Sequence, residues 1–292
     1  MSASAAVLAG HRLARWLGTP APWIVGVLNV TPDSFADGGR FLAPERARHR
    51  AEEMIQEGAT VVEVGGESTA PGSRPLDADT EWRRIAPVLE ALAGRLPLAV
   101  DTYHAATAAR ALALGVGMIN DVSALRADPA MAEVVAASEA VLVLMHAKDA
   151  PLPHVSARPR QYRDLVNEVA DFLLERAQAA VRAGIGAERI VLDPGWGRFL
   201  SLDPEPSWEL LRAFASLAAR LHPFPVMVAV SRKGFLPAPL EERDPLSQLA
   251  ALHALEHGAA LVRTHHVRMM RQFLEVWRKL GRLPPAPDSV RT

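Results

Sequence analysis

Asp101, Asn120 and Asp193 each stand at or just past the end of a short apolar run, in LAVDT, GMINDVS and RIVLDPG. A carboxylate is costly to bury unless it is hydrogen-bonded, so two of them with an amide would make an acceptor-rich floor. An aminopyrimidinone ring, as in a pterin or a purine, offers adjacent N–H donors that such a floor satisfies. Each Asp alone reads equally well as a helix N-cap; three polar ends on three separate runs favour one shared site. Positive charge follows later in the chain, where SRK gives Arg232 and Lys233, and VRTHH gives Arg263, His265 and His266. Arg can hold a phosphate through two parallel hydrogen bonds, and Lys brings a movable ammonium to a carbonyl or ring nitrogen. Singly, each of these cations also reads as a surface ion-pair partner.

Two loops offer further polar groups. In LNVTPDSFADGG, Asn29, Thr31, Asp33, Ser34 and Asp37 crowd before a glycine doublet. Their oxygens could hold magnesium or an anion through water. The same stretch also reads as a plain turn rich in Asn, Asp and Gly. In GGESTAPGSRP, the amides of Gly65 and Gly66 and the hydroxyls of Ser68 and Thr69 suit phosphate oxygens. Met145 could wall an aromatic ring, while His146 has no metal-spaced companion and reads as structural. No HExxH and no Ser-His-Asp arrangement is present, which removes metalloprotease and covalent hydrolase chemistry.

The elements that must position these groups recur along the chain. Apolar runs start at Ile24, Thr60, Leu98, Gly117, Ala140, Arg189, Val226 and Ala260, and each ends on polar residues. Continuous Val/Ile/Leu runs bounded by turn residues read as strands buried on both faces. Helical stretches are predicted between them at Pro44 to Glu57, Asp79 to Gly94, His104 to Leu114, Pro129 to Ser138, Gln161 to Ala183, Pro206 to Leu221, Asp244 to His257 and Arg268 to Leu280. Pro44 and Pro129 suit a first helical turn, and Gly58 and Gly184 a carboxyl cap. Eight βα units predict an α/β fold of the closed (β/α)8 TIM-barrel type, whose strand ends and following loops carry the active site. A single barrel domain is expected over residues 23–283, after a leader at 1–22 and before a frayed tail at 284–292. The proline-rich stretch from Ala147 to Pro159 is expected to be an active-site loop.

Composition narrows the function. The chain has 292 residues, 49% of them apolar, enough for one large core. Its net charge of -1 and the lack of a basic run disfavour nucleic acid and anionic membranes as partners. No stretch approaches the roughly 20 apolar residues of a membrane span, and Met1 to Gly10, weakly apolar and without a basic start, is not expected to act as a secretory signal. Zero cysteines exclude disulfides, thiolate metal sites and a Cys nucleophile. A cytoplasmic protein acting on a small molecule is expected.

The segments LNVTPDSFADGGRF, GGESTAPG, AVDTY, MINDVSAL, LDPGWG, VSRKGF and VRTHHV, in this order, resemble the dihydropteroate synthases over most of the chain. The resemblance implies a pterin-binding barrel that joins p-aminobenzoate to 6-hydroxymethyl-7,8-dihydropterin pyrophosphate with release of pyrophosphate, usually as a homodimer with Mg2+. It assigns Asp101, Asn120, Asp193 and Lys233 to the pterin and Met145 to a pocket wall. Asn29, Arg263 and His265 match residues around the pyrophosphate and its magnesium, Asn29 being the metal-side residue, and Thr69 a residue near the anion and the aminobenzoate. Lys233, Arg263 and His265 are the expected catalytic groups, acting by position and charge, with no protein nucleophile.

Departures from the family pattern fall on the aminobenzoate side. Ala70 replaces an Arg, with Arg74 near enough in sequence to compensate; Arg198 replaces an aromatic and Leu200 a Lys; Gly234 replaces a Ser; and His266 replaces an Asp. Two other classes of function therefore stay open: a pterin-binding homologue with a regulatory or carrier role, and a folate-dependent methyltransferase-like protein. The signature loop at Asn29 argues against methyl transfer, which needs no pyrophosphate site.

Overall fold

The structure, a computed structural model, describes residues 22–30, 42–67, 75–148 and 159–284. The leader, Thr69, most of the first loop and of the 147–159 stretch, Ala70, Arg74 and nearly all of the tail lie outside the described residues. Strands β1 (Trp23–Asn29), β2 (Val61–Gly65), β3 (Leu98–Asp101), β4 (Met118–Asp121), β5 (Val141–Met145), β6 (Ile190–Asp193), β7 (Met227–Val228) and β8 (Leu261–Thr264) form one sheet in the order β6-β5-β4-β3-β2-β1-β8-β7. All pairs are parallel, and a bridge between Leu192 and Val226 joins the two ends into a barrel.

Helices α1 (Leu42–Gln56), α2 (Ala78–Leu92), α3 (Ala105–Ala113), α4 (Met131–Ala136), α5 (Leu165–Arg182), α6 (Glu205–Arg212), α7 (Phe214–Leu221), α8 (Arg243–Glu256) and α9 (Val267–Lys279) cover the outside. Their apolar spacing explains this placement. In α2, Ile85, Leu89 and Leu92 recur at helical period and are fully buried, and Asp77 caps the start by accepting from the Thr80 amide at 2.8 Å. In α5, Leu165, Val169, Leu173, Ala177 and Ala180 do the same behind the Asp164 cap. None of the described helices is long and apolar enough to cross a membrane.

The core has two layers. Val25, Val61, Ala99, Met118, Val141, Val143, Val191, Met227 and Leu261 fill the barrel interior, and a larger cluster lies between sheet and helices. Each such fully buried side chain of Val, Leu or Met size is worth roughly 1.5–3 kcal/mol relative to exposure.

Three local expectations are corrected. The stretch from Pro206 to Leu221 is two helices, because the chain turns at Ala213 to seat Phe214 against Trp196, with ring centroids 6.3 Å apart. Pro129 lies in a turn before α4 rather than in its first turn. β7 is only two residues long, since its ladder with β8 pairs Met227 with Leu261 and Val228 with Val262 and no further. Gly58 and Gly184 do take positive φ just past α1 and α5.

Candidate active site

Side chains on a strand alternate between faces, so a residue two places beyond an interior core residue also points inward. Two steps from Val61, Ala99, Met118, Val143, Val191 and Leu261 stand Glu63, Asp101, Asn120, Met145, Asp193 and Arg263. Asn29 comes four places after Val25. Register then sets neighbours: Asn29 pairs with Gly65, Gly65 with Asp101, and Asp101 with Asn120 along the carboxyl rim. A Cβ on Gly65 would lie 3.7 Å from both Asn29 Oδ1 and Asp101 Cβ, so Asn29 and Asp101 flank this glycine.

Arg263 ties the floor together. Its Nε donates to Glu63 Oε1 at 2.6 Å, and its Nη2 donates to Asp101 Oδ2 at 2.9 Å and also meets Glu63. Glu63 Oε2 accepts from Asn120 Nδ2 at 3.0 Å. Asn120 Oδ1 is buried and has no partner among the described residues. Burial, and then Glu63, push Asp101 up to about 8, against the pull of Arg263. Burial opposes the charge on Arg263, but Glu63 and Asp101 hold its pKa above the usual value. Arg263 therefore does not stand apart from the acids with the other cations, as its place late in the chain suggests, but is held among them.

Asp193 lies 1% exposed, with Oδ1 accepting from the Gly195 amide at 2.8 Å. That turn requires glycine: Gly195 has φ +71°, and a Cβ there would meet the His146 carbonyl oxygen at 2.1 Å. Burial pushes Asp193 up to about 6, opposed by the Gly195 amide and Lys233. Lys233 is drawn down to about 8 by burial and by Arg263. Its Nζ lies 4.6 Å from the centroid of the Phe199 ring, and Phe199 packs in one cluster with Met145, Tyr103 and Val122. The residue after Arg198 thus places an aromatic ring beside Lys233 and Met145. Arg198 is partly buried beside Arg160, whose Nη1 donates to the Arg198 carbonyl at 2.6 Å, and Leu200 is wholly buried.

His265 is held by Ser231, whose Oγ lies 2.8 Å from Nδ1 and accepts the His265 amide at 3.1 Å. Burial, followed by Arg263 and Arg232, lowers the ring to about 3, so it is neutral at physiological pH. With Oγ donating to Nδ1, the ring presents Nε2–H as a donor. Arg232 is a correction: it is exposed and pairs with both oxygens of Asp244 at 2.8 and 2.7 Å, outside the cluster. His266 is another, because its Nδ1 accepts from the Met269 amide at 3.3 Å and so caps α9. His146 is structural, packed edge-on to Phe172 with centroids 5.0 Å apart.

Glu63, Ser231 and Phe199 belong to the site although sequence reasoning did not single them out. The signal for Glu63 was available: a carboxylate in the middle of the fully buried run VVEVG must have partners.

Fold and site together define a (β/α)8 barrel whose carboxyl mouth gathers buried acceptors around a guanidinium. A family model described as pterin binding enzyme matches residues 25–265. The type-2 dihydropteroate synthase of Escherichia coli is 42% identical over 87% of this chain and 94% of that protein. The solved structure of Xanthomonas albilineans dihydropteroate synthase with 4-aminobenzoic acid is 37% identical and covers 90% of this chain and 94% of its own, with a TM-score of 0.81. That of the Burkholderia cenocepacia enzyme complexed with 7,8-dihydropteroate is 37% identical over 89% of this chain and 92% of its own, with a TM-score of 0.79. The chain belongs to the pterin-binding enzyme family, among its dihydropteroate synthases.

Proposed function

We propose that this protein condenses p-aminobenzoate with 6-hydroxymethyl-7,8-dihydropterin pyrophosphate and releases pyrophosphate, a transferase step of folate synthesis. The single observation that carries this reading is the floor of Asp101 and Asn120, joined through Arg263 and Glu63, with Asp193 within electrostatic reach of Arg263 and Lys233, set in a barrel similar to synthases solved with 4-aminobenzoic acid and with 7,8-dihydropteroate. Asp193 and Asn120 Oδ1 accept from the ring N–H groups, with Asp101 beside them. Lys233 donates to a ring carbonyl or nitrogen, and Met145 walls the pterin. Arg263 and the neutral Nε2–H of His265 take up charge as the pyrophosphate departs, and the aniline nitrogen then attacks the freed methylene carbon.

The aminobenzoate side is rebuilt rather than lost in this proposal. Phe199 supplies the flanking ring and Arg198 supplies positive charge for the carboxylate; Thr69 serves the same side. Among the described residues no group of three His, Asp or Glu could hold a metal. A magnesium carried by the diphosphate needs only one or two protein oxygens, and the exposed Asn29 amide at the end of β1 would supply one. When bound, Mg2+ would neutralise diphosphate charge. One barrel domain over residues 23–283, a cytoplasmic address and a homodimer belong to the same proposal. No observation favours the binding-only or methyl-transfer alternatives. Growth of a strain lacking its own dihydropteroate synthase is expected to be restored by this chain; failure to restore growth despite soluble expression would count against it.

A further inference from the structure

Glu63 stands one layer below the acceptor floor, 1% exposed, and touches two of the groups above it. An ionised carboxylate only accepts hydrogen bonds. Facing Glu63 Oε2 at 3.0 Å, the Asn120 side chain must therefore turn its NH2 group downward, which leaves Oδ1 as the atom on the other side. That oxygen is buried and without a partner among the described residues. Leaving a buried acceptor unmatched is destabilising, so its presence at a binding mouth points to a donor supplied by the ligand. Through its other oxygen Glu63 holds the Nε and Nη2 edge of Arg263, and the same Nη2 reaches Asp101.

We infer that Glu63 is a positioning residue that sets the polarity of the site: by engaging the Asn120 amide and Arg263 together, it makes Asn120 an acceptor toward the ring. This rests on the pterin reading given above but adds a residue that does not itself touch the ligand. In Glu63→Gln, the oxygen of the introduced amide keeps Arg263 while its NH2 group opposes that of Asn120. The Asn120 amide then flips and offers a donor to the donors of the ring. When Glu63→Gln is combined with Asn120→Asp, the new amide donates to one oxygen of the new carboxylate, and the other carboxylate oxygen faces the ring again. The number of hydrogen bonds and the net charge are those of the original protein.

The test is calorimetric binding of 6-hydroxymethylpterin to the full chain, with thermal unfolding as a check on folding and steady-state turnover measured in parallel. Glu63→Gln is expected to weaken binding by roughly 10–100-fold, and the double exchange to recover most of it. The loss should appear in the pterin KM more than in the aminobenzoate KM. A purely structural role would not be rescued by exchanging the two groups. Unchanged binding in the single variant, or a folded double variant no better than the single, overturns the inference. Should the original protein bind the pterin and follow this pattern without turnover, the inference stands and the synthase reading falls. Absence of pterin binding in the original protein overturns both.

Discussion

Lys233 holds its ammonium 4.6 Å from the centroid of the Phe199 ring, on the wall that Phe199 shares with Met145. A cation over an aromatic face is worth about 0.5–2 kcal/mol and fixes both groups. Phe199 therefore does more than fill space: its ring holds the Lys233 ammonium while packing in one cluster with Met145. Because the same ring also holds Lys233 and packs with Met145 on the pterin side, Phe199→Ala is expected to raise the KM for both substrates, several-fold for p-aminobenzoate and by less for the pterin, a split that kinetics with each substrate varied in turn would display. Equal effects on both substrates would contradict the assignment of the ring to the second-substrate side.

The depressed pKa of Lys233 gives an alkaline limb. Burial and Arg263 lower it to about 8, so the ammonium is present below that pH and lost as pH rises through it. Pterin affinity should decline above about pH 8. Lys233→Arg, which stays protonated, should move the limb upward even where its absolute activity is lower. A limb that stays in place in this variant would assign the titration to another group.

Asp193 works in the opposite range. Its folded-state pKa is raised to about 6, so it holds a proton below that pH and loses acceptor capacity. Pterin affinity should therefore fall as pH drops through 6. For stability the sign is reversed. Between the ordinary carboxylate range and pH 6 the folded state binds more protons than the unfolded chain, so stability falls as pH rises through that window. Asp193→Ala should flatten this slope and cost roughly 1–3 kcal/mol of pterin affinity. Unchanged affinity, measured by calorimetry at a pH well above the Asp193 titration, would remove Asp193 from the floor.

The two adjacent histidines should separate cleanly. His266 caps α9 through Nδ1, and losing a cap costs about 0.5–2 kcal/mol. His266→Ala is thus expected to lower the unfolding free energy with turnover unchanged, and His266→Asp to restore the cap. His265→Ala should instead lower kcat with little loss of stability. Chemical denaturation alongside kinetics checks both, and a large loss of kcat in His266→Ala would show that the cap reading is incomplete.

Much of this site was legible because strand chemistry is periodic. The polar ends of LAVDT, GMINDVS and RIVLDPG fall at the rim because an apolar run of set length precedes each one, and period-two alternation turns them inward. Glu63 was legible by the same rule but lies one layer deeper, inside a run that otherwise reads as pure core. What the sequence could not convey were exchanges made in space. Position 198 reads as a lost aromatic, yet the short turn Gly197–Phe199 brings the ring of the next residue against Lys233 and Met145. Likewise Arg232 and Lys233 are adjacent in sequence, yet Arg232 has φ +59°, pairs with Asp244 and leaves only Lys233 at the pocket. The break at Ala213 has no local signal in LLRAFASLAARL; it follows from the stacking of Phe214 on Trp196.

The central claim is turnover by an altered second-substrate side, and release of pyrophosphate tests it most directly. With the purified chain, 6-hydroxymethyl-7,8-dihydropterin pyrophosphate and Mg2+, pyrophosphate should accumulate together with dihydropteroate only when p-aminobenzoate is added. Tight pterin binding with no pyrophosphate released in its presence would contradict the account.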